Sequence, residues 1–170
     1  MSKAFTRESD DEPELPARVG QLAALPAGAK NYVTPSGLQQ LREELARIVQ
    51  QERPRVAALG DGPDVRAQLK SLDQYIQQLE RSLETAVLVE PPPQPWTQVR
   101  FGATVAVRNA AGVESKYRLV GVDEVNLDLD WVSWCSPIAR ALLNRKIGDR
   151  VRFRAPGGEE VLEIIDISYG

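Results

Sequence analysis

Catalysis needs nucleophiles, acids or metal ligands at workable spacings, and this 170-residue chain offers few. It has no histidine and a single cysteine, Cys135. A Cys/His zinc site, a Ser-His-Asp triad and a Cys-His dyad are therefore all excluded from its own residues. Metal chemistry falls to carboxylates, and the run Gly60-Asp61-Gly62-Pro63-Asp64 brings Asp61 and Asp64 close together. Aspartate is equally a turn and cap residue with no metal involved, so turn chemistry is the alternative reading of this pair. One thiol makes no internal disulfide and fits a reducing compartment, so a cytoplasmic location is expected.

Those residues must be held by larger elements. Thr34-Pro35 reads as a helix cap followed by proline at the first helical position. Leu38, Leu41, Leu45, Ile48 and Val49 follow at helical spacing and predict one apolar face, continued by Val56 and Leu59. Pro54 lies inside this pattern and predicts a kink or a local change of hydrogen bonding. After the turn, Leu69, Leu72, Ile76, Leu79, Leu83 and Ala86 form an a/d seam. Two such arms joined by a short turn predict an antiparallel coiled coil, closed within one chain, and hence a monomer rather than a coiled-coil dimeriser.

Around the hairpin the composition changes. Residues 1–31 are acidic and proline-bearing without an apolar period and predict a disordered tail. The hairpin is assigned to 32–90, and the proline run of 91–96 predicts a stiff linker. Residues 97–170 read as a second domain of short β-favouring runs: Val99–Phe101, Thr104–Val107, Tyr117–Val120, Trp131–Trp134 and Val161–Ile167. A short helix, Ile138–Leu143, is expected behind Ser136-Pro137, with hairpin turns at Asn109–Gly112 and Pro156–Gly158. The fold class is α+β. The N-terminus lacks a signal-like apolar core, and no window reaches the roughly 20 apolar residues of a membrane span.

Three stretches resemble the Gre family of bacterial transcript cleavage factors. VTPSGLQQLREEL (33–45) is similar to the family's Thr-x-x-Gly opening, and QQERPRV (50–56) to a Glu-Arg-Pro segment of its GreB branch. The most specific is SPIARALLNRKIGDRVRFRAPGGEEVLEIIDISY (136–169), which resembles the family's Ser-Pro-Ile-Ala-Arg-Ala-Leu signature with its later Gly-Asp and Pro-x-Gly positions. The resemblance implies an N-terminal coiled coil and a C-terminal FKBP-like antiparallel β-domain with one short helix. It also implies a factor that is not itself an enzyme. Such a factor docks near the rim of the RNA polymerase secondary channel and extends its tip toward the polymerase's own Mg²⁺, with no cofactor of its own.

Carried over residue by residue, Asp61 matches the family's tip aspartate, and Asp64 stands where the family has glutamate. Both become metal candidates only within the polymerase complex. Val65 replaces the usual asparagine, and about seven residues are absent from each arm, shortening the hairpin by about 10 Å. Trp134, Cys135, Ser136 and Pro137 are the partner-binding candidates, with Cys135 where the family has aspartate. Trp131 and Trp134 offer either a docking anchor or core packing, on opposite faces of a strand. The hairpin carries seven basic and eight acidic residues between Ser36 and Val89, so nucleic acid is expected to be met only inside the polymerase. There are two rivals: an Rnk-like competitor at the channel entrance without cleavage activity, and, from fold likeness alone, a peptidyl-prolyl isomerase.

Overall fold

Thr34 starts the helical half as its type predicts. Its backbone is extended, its Oγ1 accepts from the Gly37 N–H at 3.0 Å, and Pro35 follows at the first helical position. This is a computed structural model that describes residues 25–155 and 157–170. The first helix, α1 (Pro35–Arg47), passes into a π-helical segment, Ile48–Glu52, and then into α2 (Arg53–Ala57).

The π segment is how the chain absorbs Pro54. A proline ring clashes with the carbonyl four residues earlier, and the wider turn relieves that contact while the Arg53 N–H bonds to the Ile48 carbonyl. The phase of the apolar face is corrected as well. Eight regular α-helical residues would carry Val56 about 80° past Ile48, and the extra residue held in the wide turn removes most of that angle. Both residues consequently reach the same seam, at 0% and 7% exposure.

The returning helix, α3 (Pro63–Thr85), has 23 residues. Leu41, Ile48 and Val56 pack against Leu72, Tyr75 and Leu79, with Leu38, Leu45, Leu69, Ile76 and Leu83 partly buried around them. Two expected seam residues are outside it: Val49 is 44% and Leu59 68% exposed. Val49 faces away because Ile48 takes the inward position, and Leu59 lies beyond the last helical turn. Tyr75 is the converse, buried although off the a/d pattern.

Residues 1–24 of the expected tail lie outside the described residues. Its last residue does not behave as tail, because Asn31 is buried and opens β1 (Asn31–Val33). This strand pairs in parallel with β2 (Ala86–Leu88), so Ala86 belongs to a strand rather than to the end of the helical seam. Parallel strands need a long crossover, and here the whole helical hairpin supplies it. Asn31 also donates from Nδ2 to the Ser82 carbonyl and Thr85 Oγ1, satisfying groups at the end of α3.

The remaining strands are β3 (Ala103–Asn109), β4 (Glu114–Val120), β5 (Trp131–Ser133), β6 (Arg150–Ala155) and β7 (Gly158–Tyr169), with α4 (Pro137–Leu142) between β5 and β6. They form one sheet in the order β5-β4-β3-β7-β6, antiparallel except for β4 with β5. Val105, Val107, Leu119, Ile164 and the α4 residue Leu142 are fully buried in its core. Asn109 Oδ1 accepts from the Ala111 and Val113 N–H groups and sets the β3–β4 turn. Val99–Phe101 is not a strand: Val99 instead exchanges backbone bonds with Asn144 and Arg145. A bulge at Ala106/Val107 accompanies the unexpectedly long β7. Among the described residues no helix is long and apolar enough to cross a membrane.

Candidate functional site

The tip of the hairpin is shaped by its glycines and proline. Gly60 has φ +114°, a region open to glycine at little cost. Pro63 disfavours the α conformation at Gly62, which is extended (φ −62°, ψ 157°) and serves as the N-cap of α3. The turn proper is therefore Ala58–Gly62. Asp61 lies in it, but Asp64 stands in the first turn of α3, so the two are not both loop residues.

Both side chains are exposed, and among the described residues neither takes part in a hydrogen bond or ion pair. Asp64 is at the helix N-terminus, where negative charge is favoured. Val65, in place of the asparagine of the resemblance, is partly buried on the hairpin core and anchors the tip instead of extending its polar surface. Below the tip, Arg53 donates to Asp73 at 2.6 and 3.2 Å and ties α2 to α3. That hydrogen bond holds the Asp73 carboxyl below its ordinary value.

The second candidate group is split by the fold. Trp134 follows β5 rather than belonging to it, so alternation along a strand does not govern its direction. Its ring meets Tyr32 edge-on at 5.1 Å, while Trp131 lies under the Arg118 guanidinium at 4.6 Å. Trp134 thus turns back toward the helical half. Ser136 Oγ accepts from the Ala139 N–H and caps α4, Pro137 is exposed at the first helical position, and Cys135 is half-buried between them and Trp134. Trp134 and Cys135 are the central residues of a turn closed by the Ser136 N–H on the Ser133 carbonyl, and Pro137 already belongs to α4.

Among the described residues no three Asp, Glu, Cys or His side chains gather as a metal site. The chemistry available is that of two hydrated carboxylates held at the end of arms about 34 Å long. Sequence reasoning missed Glu124, a buried carboxylate behind β4 that reaches Thr34. The available signal was a glycine, Gly37, in a helix where alanine is the better former.

Fold and tip together define an α+β protein that presents charge at a distance from its sheet. Residues 94–169 match the family model described as Transcription elongation factor, GreA/GreB, C-term. Transcription elongation factor GreB of Neisseria meningitidis serogroup A is 36% identical, covering 82% of this chain and 94% of that protein. Transcription elongation factor GreA of Halorhodospira halophila is 34% identical over 83% and 99%. The chain belongs to the GreA/GreB family of transcription elongation factors. In the Neisseria comparison, 82% of 170 residues is about 139, set against 154 aligned positions. The matched stretch is thus about 15 positions shorter here than the alignment as a whole. A GreA/GreB structure from Nitrosomonas europaea is 23% identical over 82% of this chain and 100% of that one, with a TM-score of 0.42, too low to inform domain arrangement.

Proposed function

We propose that this chain is an accessory elongation factor that docks on RNA polymerase through its β-rich half, an FKBP-like module, and inserts the hairpin into the secondary channel. Stimulation of transcript cleavage is weakened or lost. The observation that carries this reading is the pair of exposed, uncommitted tip carboxylates on an arm of only 23 residues.

Mg²⁺ keeps several waters and accepts one or two carboxylates, so Asp61 and Asp64 fit as auxiliary ligands to an ion held otherwise by the polymerase. Bound there, such an ion supplies an activated water for hydrolysis. The chain's own part is delivery, and two features work against it. Aspartate at position 64 draws its carboxylate back by roughly 1.2–1.5 Å relative to glutamate. One missing heptad per arm withdraws the tip by about 10 Å, large beside metal–oxygen distances near 2 Å.

The short arms favour a second activity at the same place, occupying the channel and displacing longer relatives. Two measurements decide. The chain should bind core polymerase at micromolar concentration; no binding there overturns the reading. On a stalled, backtracked complex it should add little RNA cleavage and should reduce the cleavage produced by an active family member. Vigorous cleavage that Asp61→Ala abolishes would instead make it an ordinary cleavage factor.

A further inference from the structure

Glu124 joins the two halves of the molecule. It is 6% exposed, yet its partners are distributed across the junction. Oε2 accepts from the Thr34 N–H at 3.0 Å and from the Gly121 N–H at 2.9 Å, and Oε1 accepts from the Thr34 hydroxyl. Thr34 is at once the last residue before α1 and the one directly after β1, so the carboxylate also sits at the positive end of α1.

Two glycines make this approach sterically feasible. A Cβ on Gly37 would overlap the Glu124 carboxylate, and one on Gly121 would overlap the Tyr32 carbonyl. Gly37 is otherwise a poor choice in the first turn of a helix. Its presence is explained by the carboxylate that occupies the missing side chain's space. Tyr32 packs on Phe101 and Trp134 beside it, at 5.8 and 5.1 Å.

Both chain ends of the hairpin leave through the β1–β2 ribbon, where the Val89 N–H also bonds to the Val33 carbonyl. Hairpin and ribbon are thereby one unit, and Thr34 is where Glu124 grips it. A rotation of that unit that kept the junction dry would strip a buried carboxylate of both Thr34 donors and leave it the Gly121 N–H alone, a loss that proteins avoid. In this packing both bonds that cross the junction, from the Thr34 N–H and the Thr34 hydroxyl, are made together with the local one.

From this geometry we infer that Glu124 is a positioning residue that sets the direction of the hairpin relative to the sheet, with Gly37 as its steric counterpart. Acting through Thr34, it aims a tip it never touches. With arms of about 34 Å, a 20° swing at the base displaces the tip by about 12 Å.

The test is a spin-label distance measurement on the full chain carrying Cys135→Ser, with labels at the exposed positions Ala67 and Ala110. The parent should show one narrow distance, Glu124→Ala a distribution broadened by about 10 Å, and Glu124→Gln a distribution near the parent's. Gly37→Ala should broaden it as Glu124→Ala does. It should lower the melting temperature when Glu124 is present and raise it in the Glu124→Ala background, a change of sign that general core damage would not give. A parent-like distance in Glu124→Ala, or Gly37→Ala acting alike in both backgrounds, overturns the inference.

The consequence for elongation rests on the proposed function. There, Glu124→Ala should bind polymerase within about threefold of the parent while losing, at saturation, about tenfold of its power to reduce the cleavage produced by an active family member, since orientation decides whether the hairpin enters the channel. Absence of parent binding to polymerase would overturn the functional reading alone, because the distances are measured without polymerase.

Discussion

Tyr169 shows how a single buried group links this fold to pH. Its phenol donates to the Gln98 carbonyl at 3.3 Å, accepts from the Arg100 N–H at 3.1 Å and lies 5.4 Å from the Trp96 ring. Burial pushes it up from its ordinary value, more than the Arg100 contacts pull it down. A raised folded-state pKa means that the native state holds the proton more tightly. The resulting stabilisation is complete below the unfolded tyrosine value near 10 and is lost as pH rises through the folded value. Tyr117, also raised chiefly by burial, acts with the same sign. The urea midpoint should therefore fall above pH 10. Tyr169→Phe should reduce that fall while costing about 1 kcal/mol at neutral pH. An unchanged alkaline slope in Tyr169→Phe would remove this explanation. Asp61→Ala, with no bonds to lose among the described residues, should leave stability within about 0.5 kcal/mol. Residues whose partners are local were legible beforehand: Thr34 and Ser136 cap the helices their types announced. Glu124 was not, because its Thr34 partner is 90 positions away.

At the scale of elements, periodicity identified both arms but not their phase across Pro54. Ile48 and Val49 both belong to the apolar pattern, yet the π segment leaves the first fully buried and the second 44% exposed. Ile48→Ala should cost about 2–5 kcal/mol by transfer and cavity terms. Val49→Ala should change stability by less than about 0.5 kcal/mol. Equal losses in chemical denaturation would mean that the wide turn does not set the seam. The β1–β2 pair escaped notice because three-residue strands carry too little alternation to stand out. Val99 looked like strand for the opposite reason: a β-favouring type is used there for burial against a turn.

For the whole molecule, the two arms satisfy one another within one chain, and the expected outcome by light scattering is a monomer of 18.8 kDa. A concentration-dependent dimer would show that another surface overrides that closure. The α+β class, the hairpin, the acidic tip and the family resemblance were all available from the sequence by itself, because they depend on composition, short-range periodicity and local cap and turn chemistry. Tertiary structure alone decided that Trp134 turns inward to Tyr32, that the chain ends of the hairpin pair as parallel strands, and that Glu124 fills the space left by Gly37. These outcomes depend on which distant surfaces meet. A residue's type states what it needs from a neighbour, and only the folded chain supplies one.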